Sequence, residues 1–413
     1  MIISIIVLVL VFSLIAIRQI GKVRLQIWQI MLGGAIIVLF TSQISPTNAF
    51  KSINFDVIFF LFGMFVIGEA LEKSGYLSYL SCKFFKRAKS LDHLVLFVLF
   101  GAGFASALLM NDTVAIIGIS FVLVFARKNS LPPKILLLAL AFAVTIGSVF
   151  SPIGNPQNLL IALNGNIENP FFDFFKFLFL PTIINLFFAY LLLKIFYREQ
   201  FNKRLENNSE EKIKDFNLAF FSKISLAILI SLIIIKIFFI YIFPEIDFRL
   251  TYIALISAFP ILLFSKERIK ILKEVDWHTL IFFIAMFILM ESVWDSGFFQ
   301  GMINELNPNL TSIFSIFFVS IILSQLISNV PLVALYMPIL ISSGASAKEM
   351  IALAAGSTIA GNLFILGAAS NIIIIQNAEK KYGETITFWE FARIGIPLTI
   401  INILVYYLSF YIF

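Results

Sequence analysis

The chain has 413 residues, 60% of them hydrophobic and only 13% charged, with a formal net charge of +6. Soluble domains carry about 25% charged residues, so these proportions exclude a water-soluble globular protein and fit a chain that crosses a bilayer many times. Cys82 is the only cysteine, which excludes an internal disulfide and a cysteine-based metal site; His93 and His278 are the only histidines, which argues against a histidine-rich metal centre.

Apolar runs long enough to cross a hydrocarbon core of about 30 Å recur from end to end. The first, residues 1–17, has no basic leader and no small-residue cleavage motif, so a retained span is expected rather than a signal peptide. Spans follow at 26–42 and 55–72. Residues 76–90, with Lys83, Lys86, Arg87 and Lys89, read as an amphipathic helix lying in the membrane interface. The stretch 92–126 is too long for one span, and Asn111-Asp112-Thr113 interrupts its middle. Two half-helices meeting at a polar tip, a re-entrant hairpin, fit best, because backbone unpaired at membrane depth must be received by protein or a watery cavity. Spans 134–163 and 171–196 complete a first half, and the polar residues 197–217 read as a solvated linker. The second half gives spans 218–243, 250–265 and 278–294, a hairpin at 311–343 interrupted by Ser328-Asn329-Val330-Pro331, and spans 348–378 and 392–412.

The halves are related. Residues 58–75 align with 280–297 at an offset of 222, with Phe60/Phe282, Met64/Met286, Phe65/Phe287, Glu69/Glu291, Ser74/Ser296 and Gly75/Gly297 identical. Asn111 then matches Asn329, and Thr145, Gly154 and Asn158 match Thr358, Gly367 and Asn371 at an offset of 213. The expected fold is therefore an all-α polytopic membrane protein with about ten transmembrane helices and two re-entrant hairpins. The domains are a first repeat at 1–196, the linker at 197–217 and a second repeat at 218–413. Five spans per repeat is an odd number, so the second copy must lie inverted, as in secondary transporters with broken helices and a site near the midplane. With this topology 25 of the 30 lysines and arginines fall on one side. That side is expected to be cytoplasmic, linker included, with both termini outside.

Polar residues inside apolar spans mark the candidate site. Pro152 and Pro156, with Gly147 and Gly154, break the segment 145–158, which also holds Thr145, Ser148, Asn155 and Asn158. Freed carbonyls there can coordinate a cation, while the next half-helix offers amide N–H groups and a positive dipole end to an anion. The mate of this segment contains Ser357, Thr358, Asn362 and Asn371. The hairpin tips add Asn111, Asp112, Thr113, Ser328 and Asn329. Their oxygens suit sodium, for which Asn111, Asp112, Asn155, Asn329 and Asn362 are the expected ligands. Asp112 is the one carboxylate expected at the site, and it is expected to take up a proton or bind a cation. Glu69 and Glu291 are expected at matched helix ends in a structural or gating role. Lys236 is expected to snorkel or to pair with a carboxylate. No hydrolytic constellation, nucleotide loop or cofactor motif appears, which argues against an enzyme; no cofactor is expected beyond a coupling ion, and no nucleic-acid partner.

The runs NDTVAII, IGSVFSPIGNPQNLLIA, SNVPLVALYMPIL and AGSTIAGNLFILGAASNIIII resemble the ion transporter superfamily. That group includes arsenite permeases, NhaD-type sodium/proton antiporters, citrate–metal transporters and divalent-anion/sodium symporters. The resemblance covers both repeats. It implies a homodimer in the cell membrane, with scaffold and transport domains and an elevator-like motion. It also implies one half-site of Asn111, Asp112, Thr113, Gly154, Asn155 and Asn158, and another of Ser328, Asn329, Thr358, Asn362 and Asn371. Divalent-anion symporters carry Ser-Asn-Thr at both tips, whereas this chain has Asn-Asp-Thr and Ser-Asn-Val. A carboxylate at the first tip would repel a dianion, which favours the arsenite, antiporter or citrate–metal branches. The expected function is secondary transport of a small anion or oxyanion-type solute, coupled to sodium or protons. The alternatives are a sodium/proton antiporter without an organic substrate, or an arsenite/antimonite efflux permease.

Overall fold

The computed structural model describes residues 2–17, 19–20, 23–24, 26–76, 79, 88, 90–128, 131–201, 213–242, 249–298, 311–327 and 329–412. Most of the interfacial helix expected over 76–90, most of the 197–217 linker and Ser328 lie outside the described residues. Helix α1 (Ile2–Ile17) leads through a two-residue antiparallel pairing, β1 (Gln19–Ile20) with β2 (Val23–Arg24), into α2 (Ile27–Phe40). This small ladder departs from the purely helical expectation. Helices α3 (Pro46–Ser52) and α4 (Phe55–Lys73) follow, bent by 53° to each other. Then come α5 (Leu91–Leu109), α6 (Asn111–Lys128), α7 (Pro133–Ser148), α8 (Pro156–Asn164) and α9 (Pro170–Phe196). The second half runs α10 (Phe216–Ile242), α11 (Leu250–Phe264), α12 (Arg268–Glu274), α13 (Trp277–Trp294), α14 (Ile313–Ile327), α15 (Asn329–Ser342), α16 (Ala347–Ile359), α17 (Ala369–Tyr382) and α18 (Phe388–Ile412).

Among the described residues, five helices are each long and apolar enough to cross a membrane, and the bent α3–α4 pair makes a sixth. Large apolar side chains face outward along α10 (Phe216, Phe220, Ile230, Ile234 and Ile235). An apolar face of that length is tolerable only against lipid or a partner. The molecule is a polytopic helical membrane protein.

The matched sequence segments fold alike. Asn54 caps α4 by accepting from Val57 N at 3.1 Å, and Asp276, 222 residues on, caps α13 by accepting from Thr279 N at 3.1 Å. At the other ends, Ser74 Oγ donates to Leu71 O and Ser296 Oγ to Val293 O. The next residues, Gly75 (φ 71°) and Gly297 (φ 74°), occupy the left-handed region that glycine enters without steric cost. Packing is reciprocal too: α4 lies along α11, whereas α13 lies along α2. Asp56 fixes the first pair, accepting from Thr251 Oγ1 at 2.8 Å and from Arg249 Nη1 at 3.2 Å. Lys73 pairs with Glu274 at its far end.

Paired helices form at both places where hairpins are expected. Gly103 of α5 packs on Gly147 of α7, and beyond the end of α5, Asn111 N donates to Gly154 O at 2.8 Å. So α5 runs parallel to α7. From Asn111 the chain returns along α6, whose Gly118 faces Leu140, earlier in α7. The reversal falls on Met110, a buried non-glycine residue at φ 69° and ψ 143°. Such a conformation costs on the order of 1–3 kcal/mol and persists only where the surroundings enforce it. In the second half, Gly356 of α16 abuts Phe317 and Ser320 of α14, and Gln325 Nε2 donates to Ala360 O at 2.8 Å. So α14 runs parallel to α16, and α15 returns to it through the turn at 343–346.

The α5–α7 crossing is tight. A Cβ on Gly147 would lie 2.2 Å from Gly103 Cα, a backbone atom that cannot rotate aside. Small residues let membrane helices approach this closely. Gly147→Ala should therefore destabilise the protein by about 1–3 kcal/mol. Gly33→Ala, where a Cβ meets nothing within 4 Å, should be neutral or slightly stabilising. Thermal unfolding in detergent checks both; equal melting temperatures for the two variants would contradict the packing described.

Candidate functional site

The two broken spans form the buried polar centre. Helix α7 ends at Ser148, residues 149–155 are non-helical, and α8 starts at Pro156. Two prolines and the absence of a Cβ at Gly154, which would sit 2.2 Å from Ser148 O, account for the break. Three of the carbonyls at the break gather round one side chain. Asn158 Nδ2 lies 3.2 Å from Ser148 O, 3.1 Å from Val149 O and 3.0 Å from Ser151 O. Asn155 caps α8, accepting from Asn158 N at 2.8 Å, and donates to Ser148 Oγ at 3.0 Å.

The second break follows the same rule. Helix α16 passes into two short 3-10 turns, Ala360–Asn362 and Ile365–Gly367, before α17. Asn371, the match of Asn158, donates to Gly361 O at 2.6 Å, and Gly361 is the match of Ser148 at the same offset. The repeats meet at Thr358. Its hydroxyl accepts from Asn155 Nδ2 and from Gln157 Nε2, each at 3.2 Å, and donates to Asn158 Oδ1 at 3.2 Å.

The residues expected at the site are placed as follows. Asn111, Thr113, Thr145, Ser148, Asn155, Asn158, Asn329, Ser357, Thr358, Asn362 and Asn371 are all buried. Gly154 accepts from the first hairpin tip. Asn111 Oδ1 accepts from Asp112 N at 2.9 Å, and Asp112 Oδ1 is buried without a partner. Thr113 packs on Gly68 of α4, so this tip touches a helix outside the broken pair. Asn329 Oδ1, at the second tip, is likewise buried and unpartnered. Two residues turn away from the centre. Ser357 Oγ donates back to Ala354 O of its own helix, and Asn362 Nδ2 donates to Asn402 Oδ1 of α18 at 3.0 Å. The residues expected to bind sodium are thus divided: Asn155 belongs to the Thr358 network, Asn111 and Asp112 to the first tip, Asn329 to the second, and Asn362 to the contact with α18. Among the described residues no group of three or more His, Cys, Asp or Glu side chains could hold a metal ion.

Glu69 is half-buried near the end of α4, hydrogen-bonded to Glu274 of α12; Glu291, at the matching place in α13, lies near Asp295. Lys236 is buried and lines a polar cavity of about 350 Å³ with Asp56, Glu168 and Arg249. A larger cavity of about 530 Å³ lies beside the first break, but Phe104, Phe150, Phe172 and Phe175 make its walls apolar. The polar chemistry converges elsewhere, at Thr358.

Two contributors were missed from sequence, Gln157 and Asn402. A signal for the second existed: residues 171–185 match 388–402 at an offset of 217, with Thr182/Thr399 and Asn185/Asn402 identical. These helices, α9 and α18, pack together, and Thr182 Oγ1 and Tyr406 Oη hydrogen-bond at 2.7 Å.

Comparison with known proteins agrees with this architecture. The 46 kDa membrane protein of Mycobacterium leprae is 29% identical, covering 97% of this chain and 96% of its own. The silicon efflux transporter LSI3 of Oryza sativa subsp. japonica is 26% identical over 89% of each chain. The crystal structure of the Alcanivorax borkumensis YdaH transporter shares the fold, with a TM-score of 0.53 and 14% identity over 99% of this chain and 96% of that one. The family model for citrate transporters, CitMHS, matches residues 6–350. A match over so much of the chain, on a fold of broken membrane helices, means that this protein belongs to the citrate transporter family and is a membrane transporter, not an enzyme.

Proposed function

We propose that the protein is a secondary transporter of a small anion or oxyanion-type solute, driven by a sodium or proton gradient. The observation that carries this reading is the pair of buried helix breaks joined through Thr358. Helix ends placed at membrane depth offer fixed partial charges to a solute that has lost its water. The relative named as a silicon efflux transporter supports a small solute. In this reading the hairpins and broken helices move together in an elevator-like manner against the remaining helices, in a homodimer of the cell membrane, with the linker cytoplasmic and the termini outside.

Asp112 supports the coupling. Its Oδ1 is buried at the first tip with no hydrogen-bond donor. A carboxylate so placed is stabilised by a proton or a cation. The same observation supports a second reading, sodium/proton antiport without an organic solute. In everted vesicles, acidification collapsed by added sodium in the absence of any anionic solute would favour that second reading.

Solute flux into proteoliposomes should require an imposed sodium or proton gradient; flux that is indifferent to both would overturn the coupling. Asp112→Asn should remove the dependence on the coupling ion while the protein still folds. Thr358→Val deprives two buried amides of an acceptor and should cost about 1–3 kcal/mol of stability. It should also lower transport at least tenfold; a variant with wild-type melting temperature and flux would remove Thr358 from the centre.

A further inference from the structure

Two cavities of unlike character lie side by side at one end of the bundle, where α4, α9 and α11 begin and α8 and α10 finish. The polar one, about 350 Å³, is walled by Asp56 of α4, Glu168 just before α9, Lys236 of α10 and Arg249 just before α11. The apolar one, about 530 Å³, is walled by Phe104 of α5, Phe150 at the first break, Phe171 and Phe175 of α9, and Ile233 of α10. The same two helices run past both. Pro170 lines the polar cavity and Phe171 the apolar one; Lys236 lines the polar cavity and Ile233, about one turn earlier in α10, the apolar one. From the helix ends inward, the walls therefore change from charged to aromatic within a turn. Phe104, Phe172 and Phe175 are exposed, on helices long and apolar enough to cross a membrane. The apolar cavity thus opens on a surface that lipid has to cover.

We propose that the two cavities together hold one phospholipid with a zwitterionic amine headgroup, the headgroup in the polar cavity and an acyl chain in the apolar one. The order of the walls matches the order of groups in such a lipid, which runs chain, phosphate, ammonium. Ile233 and the phenylalanines receive the chain, because burying apolar surface is what an aromatic cavity rewards. Lys236, buried one turn away, meets the phosphate beside the chain. Its ammonium can only donate, so it selects oxygen acceptors, and a charge so buried is stabilised by an opposite one. Glu168 is exposed at the rim and accepts from the ammonium end of the headgroup. The charges decide between headgroups. Lys236 and Arg249 are matched by Asp56 and Glu168, and Asp56 is already bonded to Arg249 Nη1 and Thr251 Oγ1. A site of balanced charge favours a headgroup carrying both signs, whereas a purely anionic headgroup would set like charge against Glu168. A soluble phosphate compound would meet Lys236 but bury none of the aromatic surface next to it. The inference does not depend on which solute is carried.

The test is thermal unfolding of the purified full-length protein in detergent with three probes: dioleoyl phosphatidylethanolamine, dioleoyl phosphatidylglycerol and free phosphoethanolamine. Ligands that bind the folded state raise its melting temperature. Phosphatidylethanolamine should raise it saturably, phosphatidylglycerol with the same chains should raise it less, and phosphoethanolamine, which has no chain, should leave it unchanged. Glu168→Gln alters an exposed residue, so the lipid-free melting temperature should be kept while the preference for phosphatidylethanolamine is lost. Lys236→Met keeps the apolar stem and should abolish the phosphatidylethanolamine shift; if that variant fails to fold, Glu168→Gln decides. Ile233→Trp fills the apolar cavity and should diminish the shift with both lipids. A phosphatidylglycerol shift equal to or larger than that with phosphatidylethanolamine would overturn the proposal. So would an unchanged preference in Glu168→Gln, an unchanged shift in Ile233→Trp, a phosphoethanolamine shift as large as that of the whole lipid, or no shift with any probe.

Discussion

Everything at the centre of this molecule depends on the satisfaction of carbonyls freed where buried helices break. A backbone carbonyl buried there without a partner would cost several kcal/mol. Asn158 answers this at the first break with one amide spanning three carbonyls, and Asn371 answers it at the second with a single short bond. Each asparagine sits one turn inside the second half-helix, so the two halves of each broken span are tied end to end. Only with that tie in place can the helix ends be held at a fixed separation and used.

Much of this was readable in the sequence, because its causes are local. Pro152, Pro156 and Gly154 cannot continue a helix, and the apolar flanks leave no other place for the break than the membrane. The hairpin tips were readable for the same reason: Asn111 and Asp112 interrupt an apolar stretch of more than thirty residues. The caps of α4 and α13, and the left-handed glycines that end them, follow from residues repeated at one offset. What remained hidden were partnerships across the chain. Nothing near Gln157 announces that its amide reaches Thr358, 201 positions away, nor does Asn362 declare that it pairs with Asn402. Ser357 illustrates the opposite error. Adjacent to Thr358, it was expected to share its role, but one residue along a helix rotates the side chain by about 100°, and its hydroxyl bonds its own backbone.

The symmetry also explains why the centre is uneven. Duplicated backbones place Asn155 and Ala368, and Gln157 and Ser370, at corresponding points, yet the larger pair fills its half and the smaller pair does not. The first break is thus bonded within the protein, while polar atoms at the second stay unmatched. A small number of side-chain volumes is enough to make that difference, without any change in the helices that carry them.

The contact between Gly103 and Gly147 carries an evolutionary consequence. Where two side chains touch, growth of one can be offset by shrinkage of the other, and the pair drifts together. Here both partners are already the smallest residue, and the atoms a Cβ on Gly147 would meet are the main chain of Gly103. No change at Gly103 can make room for a side chain at Gly147, so substitution there has no compensation within the pair. The α5–α7 junction is held from the α7 side, and any way out of it has to move a helix rather than a side chain.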